Sequence, residues 1–107
     1  MSPQDFLRDY ERQTNTHEFA NVAPLLADDA VYWFDDGSFY GVDEIRDAFA
    51  RTWAAIQNER YAIADVRWLW QDNDSAACIY TFSWQGTVNG GAEEGSGRGT
   101  SLLCRRA

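Results

Sequence analysis

The sequence is poor in the residues that most often carry chemistry. It has one histidine, His17, only two cysteines, and nine basic residues against seventeen acidic ones. A lone imidazole among scattered carboxylates is no metal site, because zinc wants clustered His and Cys ligands. A net charge of −8 leaves no basic patch for nucleic-acid phosphates or for an anionic membrane surface. No apolar run approaches the roughly twenty residues of a membrane span. The N-terminal MSPQDFLRDYERQ lacks a secretory signal pattern. A cytoplasmic protein is expected. Cys78 and Cys104 are then expected reduced and buried, with a cross-strand bridge as the alternative.

What the chain has instead is aromatic weight: 15% Phe, Trp and Tyr, five of them Trp, in 107 residues. That length is one domain, residues 1–107. Ser2-Pro3 reads as a helix cap followed by proline in the first turn. Phe6, Leu7, Tyr10 and Thr14 then mark one face of a helix running to about Gln13. Thr16 is a candidate cap for a second helix towards Leu26, short or broken at Pro24. Asp28 and Asp29 break the apolar run. Val31–Phe34 is a strand signal, Asp36-Gly37 a hairpin dipeptide, and Phe39-Tyr40 the return strand. After Gly41, Asp43 and Glu44 suit a helix start, and Ile45, Ala48, Phe49, Trp53 and Ile56 give its apolar stripe. Asn58-Glu59 is read as the end of that helix.

In residues 60–71 the even positions Ala62, Ala64, Val66, Trp68 and Trp70 are all apolar, the pattern of a strand with one buried face. Asp72–Ser75 is a turn. In residues 76–88 Cys78, Tyr80, Phe82 and Trp84 share a face, so the two strands are expected to pair antiparallel with their aromatic faces together. Residues 89–97, NGGAEEGSG, read as a flexible acidic loop, and RGTSLLCRRA as a last strand. Three helices followed by long antiparallel strands argue for an α+β fold.

This order of elements, with LLADDAVYWFDDGSFYGVDEIRDAF at its centre and GRGTSLLCRR at its end, resembles the nuclear transport factor 2-like superfamily. It is most similar to the SnoaL-like and ketosteroid isomerase-like members, over nearly the whole chain. The resemblance implies a cone-shaped α+β barrel: three N-terminal helices on a curved antiparallel sheet, with a pocket at the open end. It also implies one further strand after the last one here, so the family's final strand is missing from this sequence. Tyr10 falls where the ketosteroid isomerases keep the tyrosine that donates to a developing enolate oxygen. Their general-base aspartate falls on Phe34, which cannot take a proton. Asp35 is next in line, but one residue along a strand is the opposite sheet face unless a bulge intervenes.

The candidate catalytic residues are therefore Tyr10, Asp35 and His17. Each also has a plain reading: Tyr10 as amphipathic core, Asp35 as a turn residue, His17 as an exposed or capping side chain. Trp33, Trp53, Trp68, Tyr80 and Trp84 are candidate ligand-binding residues, weighed against simple core packing. No cofactor and no metal are implied. The favoured reading is a SnoaL-like protein that binds a small apolar or ring-bearing molecule, with proton-transfer activity of the isomerase or cyclase type as its extension. The alternative is a non-catalytic homodimeric association domain, built on an outer sheet face of Ile63, Arg67, Ile79, Thr81 and Ser83.

Overall fold

The computed structural model describes residues 1–106. Helix α1 spans Pro3–Thr14, and Ser2 caps it by accepting a hydrogen bond from the Asp5 amide at 3.1 Å. This satisfies one of the donors that a helix start leaves free. A four-residue helix α2, Phe19–Val22, runs into a single 3-10 turn over Ala23–Leu25. Pro24 lies in that turn, where its missing amide costs nothing.

Strands β1 (Val31–Phe34) and β2 (Gly37–Tyr40) form an antiparallel hairpin in which Phe34 faces Gly37. The turn residues are Asp35 and Asp36, so the hairpin closes one residue earlier than the Asp-Gly dipeptide suggests. Gly41 follows at φ +84, a value that glycine adopts freely. Its amide donates to the Ala30 carbonyl at 2.8 Å, which ties the hairpin base to the start of α3, Gly41–Ala55. Glu44 accepts the Tyr40 amide at 2.9 Å, which is the use of negative charge at a helix start that Asp43 and Glu44 predict. Ile45 is fully buried beneath this helix.

Strands β3 (Gln57–Gln71), β4 (Ser75–Val88) and β5 (Gly91–Cys104) make a second, antiparallel sheet in the order β3-β4-β5. The architecture is α+β, with helices packed on a curved antiparallel sheet. The two sheets stay separate, so no barrel closes.

Three sequence expectations change here. First, α3 stops at Ala55 and β3 begins at Gln57, so Asn58 and Glu59 belong to the strand. Second, the even positions of residues 60–71 do not share a face. Register shifts fall between Gln57 and Arg60, Ala64 and Arg67, and Trp68 and Trp70. Asn58 and Asp65 sit in the first two at φ 55, a left-handed conformation that Asn and Asp tolerate better than most residues. Tyr61 and Ile63 therefore point inward opposite Trp84 and Phe82. Trp68 points inward opposite Cys78, and Trp70 points outward opposite Ala77. Ile63 is thereby lost from the expected outer face.

Third, residues 91–97 are strand, not loop. Asn89 and Gly90, at φ 52 and 82, form a two-residue turn with both residues left-handed, the geometry that follows the natural twist of a hairpin. Beyond it Gly95, Gly97 and Gly99 pair with Trp84, Phe82 and Tyr80. Each aromatic ring lies over its partner glycine. A methyl group on Gly95 would come within 2.5 Å of the Trp84 ring, and one on Gly97 within 2.7 Å of Phe82. None of the three has positive φ. They are small because a ring occupies their side-chain space.

Among the described residues the buried apolar side chains are Leu7, Val22, Ile45, Ala76 and Cys78, with Val22, Ile45 and Cys78 fully enclosed. No aromatic residue joins them; the inward rings are all half-buried. Cys78 and Cys104 are both free thiols; Cys78 is buried as expected, whereas Cys104 is exposed at the end of β5. Among the described residues, no helix is long and apolar enough to cross a membrane.

Candidate functional site

Helix α1 lies along the free edge of β3 and satisfies it with side chains. The Glu11 carboxylate accepts from the Ile63 amide at 2.5 Å. Asn15 pairs with both backbone groups of Tyr61, donating to its carbonyl at 2.8 Å and accepting from its amide at 2.7 Å. His17 Nε2 donates to the Glu59 carbonyl at 2.7 Å. Residues 59, 61 and 63 turn their edge groups the same way because a strand alternates with period two. An edge covered like this is closed to further pairing.

The docking carries Tyr10 inward. Its hydroxyl lies 2.5 Å from that of Tyr32 on β1. Burial is the main reason the Tyr10 phenol is pushed well above its ordinary value, and the neighbouring Tyr32 and Tyr80 phenols add to it. Burial also raises Tyr32, and its bond to Tyr10 offsets this in part. Tyr61 is raised by burial and then by phenol and carboxylate neighbours, Glu11 and Glu59 among them. Tyr80 bonds the Ser101 hydroxyl at 3.0 Å. Four phenols from α1, β1, β3 and β4 thus meet in one cluster, three of them held as neutral O–H groups.

Rings surround the cluster. Tyr32 meets Phe34 edge-on at 5.7 Å and Phe49 at 6.0 Å; Phe49 meets Trp53 at 5.2 Å, and Trp53 meets His17 at 5.6 Å. On the sheet side Tyr61 and Phe82 lie 6.2 Å apart. Such contacts orient rings as well as burying them. The arrangement can hold a flat apolar group and donate hydrogen bonds to an oxygen on it. Its nearest carboxylates, Glu11 and Glu59, lie on the Tyr61 side; the Ile63 amide engages Glu11, and burial raises Glu59 above its ordinary value.

The three candidate catalytic residues do not converge. Tyr10 is in the phenol cluster. His17 is committed to the β3 edge, at φ 58. Asp35 is exposed in the β1–β2 turn, and no hydrogen bond or ion pair among the described residues reaches it. Of the five candidate ligand-binding residues, Trp68, Tyr80 and Trp84 face inward on the sheet, and Trp53 faces Phe49 and His17 from α3. Trp33 is the exception. It is 76% exposed, with its indole N–H directed to the Tyr40 hydroxyl at 3.3 Å. The alternation along β1 explains this, since Tyr32 and Trp33 must face opposite ways.

Sequence reasoning missed Tyr32, Tyr61 and Thr14. The alternation of Tyr32 with Trp33 was a usable signal, and spacing had already put Thr14 on the Tyr10 face of α1; nothing local marked Tyr61. A separate open concavity of about 710 Å³ lies at the turn end of the long strands, among Asn15, Glu59, Arg60, Gln85, Glu93 and Glu94. Its walls mix polar and apolar groups and carry no aromatic ring, so the phenol cluster is taken as the candidate site. Among the described residues, no group of three His, Cys, Asp or Glu side chains is arranged to hold a metal ion.

Comparison with known proteins bears on the fold. A family described as a SnoaL-like domain matches residues 7–106. No curated protein matches the chain. Several solved structures do. A ketosteroid isomerase-like protein from Erwinia carotovora atroseptica is 18% identical, with a TM-score of 0.79 over 97% of this chain and 82% of that one. A hexachlorocyclohexane dehydrochlorinase, LinA type 2, is also 18% identical, with a TM-score of 0.82 over 96% of this chain and 72% of its own. A protein from Xanthomonas campestris, provisionally named a calcium/calmodulin dependent protein kinase II association domain, is 19% identical with a TM-score of 0.78, over 94% and 72%. At these identities the likeness is one of fold.

Proposed function

The chain belongs to the SnoaL-like domain family, and on that premise we propose that it binds a small, largely apolar, ring-bearing molecule against its inward aromatic face. The Tyr10–Tyr32 pair donates a hydrogen bond to an oxygen of that molecule. The observation that carries the reading is the 2.5 Å contact between two desolvated phenols, from helix and strand, with aromatic rings around them. One of the two hydrogens is spent between them, and the other remains free to donate. The surrounding rings and few polar groups are in keeping with the apolar lining of small-molecule sites.

Proton transfer of the isomerase or cyclase type is the finer reading, with Tyr10 polarising a carbonyl. It needs a base within reach of the substrate. His17 has its Nε2 engaged at Glu59, and Asp35 lies out in its turn, so binding is the better supported half. Titration of intrinsic tryptophan emission with neutral bicyclic ring compounds tests the proposal. Quenching is expected, and Tyr10→Phe should weaken binding of oxygen-bearing compounds by about tenfold, the effect of one lost hydrogen bond. Unchanged emission up to the solubility limit of the compounds would end the proposal.

A different observation favours the association reading. On the outer sheet face Trp70, Ala77 and Leu102 form one cross-strand row, and Arg67, Ile79 and Thr100 another. Trp70 is 58% and Leu102 82% exposed. Contiguous exposed apolar surface of this kind marks interaction sites. Light scattering decides this reading: a dimer that Leu102→Asp converts to a monomer supports it, and a wild-type monomer at high concentration rejects it.

A further inference from the structure

Thr14 is the one buried polar residue among those described, at 6% exposed, and its hydroxyl makes no hydrogen bond. Its neighbours make the contrast. Thr16 donates to the Gln13 carbonyl at 2.6 Å, and Asn15 uses both ends of its amide. A threonine in a helix ordinarily returns its hydroxyl to the carbonyl one turn back; this one does not. A buried polar group left unpaired is rare enough to need a cause.

Its position supplies one. Thr14 is four residues after Tyr10 and so on the same face of α1. Its hydroxyl approaches the Tyr10 phenol closely enough to favour that group's ionisation as a hydrogen-bond donor would, but falls short of full bonding geometry. Two unspent functions therefore sit together, the free hydrogen of the Tyr10–Tyr32 pair and both capacities of the Thr14 hydroxyl. Resting on the proposed small-molecule site, we infer that Thr14 is a ligand-contacting residue. Its hydroxyl and the Tyr10–Tyr32 pair hold one neutral oxygen, carbonyl or hydroxyl, of the bound ring compound.

The hydrogen-bond count fits both functions. A carbonyl oxygen has two lone pairs and accepts from Tyr and Thr together; a hydroxyl accepts from Tyr and donates to Thr. Carboxylates are disfavoured. Glu11 and Glu59 lie close enough to Tyr61 to oppose its ionisation, and no arginine is among the residues named around the Tyr10–Tyr32 pair.

The test uses naphthalene, 2-naphthol and 2-naphthoate with the wild type, Thr14→Val and Thr14→Ser, each followed by tryptophan emission. The wild type should bind 2-naphthol about tenfold more tightly than naphthalene, and 2-naphthoate no better than naphthalene. Thr14→Val, which keeps the shape and removes the hydroxyl, should lose about five- to tenfold in 2-naphthol affinity, the range for a neutral hydrogen bond, and leave naphthalene unchanged. Thr14→Ser should behave as wild type. The unliganded Thr14→Val protein should melt no lower than wild type, because the hydroxyl it lacks had no partner. Equal 2-naphthol affinity in wild type and Thr14→Val, or equal weakening of both neutral probes, would overturn the role of Thr14 and leave the small-molecule site standing. Failure of the wild type to bind either neutral probe would remove the site and this inference together.

Discussion

Replacing Gly97 with alanine tests why β5 is a strand. In a bare strand this substitution stabilises, since alanine restricts the unfolded chain more than glycine does, by about 0.5–1 kcal/mol. Here the new methyl would sit 2.7 Å from Cζ and 3.0 Å from Cε1 of Phe82. Comfortable carbon contacts begin near about 3.5 Å, so the ring must move by close to an ångström. It cannot do so without disturbing Tyr61, whose ring is 6.2 Å away. Overpacking of this kind costs about 1–3 kcal/mol. The balance is a loss of about 1–2 kcal/mol, which for a domain near 100 residues lowers the melting temperature by about 5–10 °C. Chemical denaturation should show a lower midpoint at unchanged slope. Ser96→Ala, next door on the exposed face, is the control and should change stability by no more than about 0.5 kcal/mol. In a double-mutant cycle, Phe82→Leu should recover much of the Gly97→Ala loss. If Gly97→Ala matches or exceeds the wild type, the ring does not occupy that space and the explanation of the alternating glycines is wrong.

Asn15→Ala should destabilise by about 2 kcal/mol, because it strips both Tyr61 backbone groups of partners at a part-buried edge; thermal melts check it, and a loss below half of that would mean water replaces the side chain. Alkali should act through the phenols. Tyr10, Tyr32 and Tyr61 are raised from an ordinary value of 10.0, so above that pH the unfolded chain releases protons that the folded one keeps. Stability should hold below pH 10.0 and fall as pH climbs past it, with tyrosinate absorbance for these three phenols appearing together with loss of circular dichroism. A smooth titration of all five tyrosines in the folded state would contradict their burial.

Much of the fold was legible because its signals are local. The Ser2-Pro3 start of α1, the hairpin of residues 31–40 and the apolar stripe of α3 each depend on neighbours within a few residues. The errors fell where meaning depends on a residue far along the chain. The face of Trp70 turns on register shifts set by pairing with β4, so a period-two count cannot survive the bulges. Glycine at 95, 97 and 99 reads as flexibility until the ring opposite is known. Asn89-Gly90 was a local signal passed over in favour of the acidic composition around it.

The candidate site was legible only in part. Tyr10 stood out by resemblance and Asp35 as the neighbour of the position that holds the family's general base, whereas His17 looked chemical because its residue type often is. The Glu59 carbonyl engages one and the hairpin turn exposes the other.

By itself, then, the order of apolar periods, caps and turn residues determined an α+β chain of helices followed by long antiparallel strands, because those preferences act over a single turn or hairpin. Only the tertiary structure decided which aromatics face inward, that Tyr10 meets Tyr32, and that Thr14 is buried without a partner. Those facts depend on bringing α1, β1 and the curved sheet together, and a hydroxyl's partner 22 residues away leaves no trace in the spacing of the sequence around it.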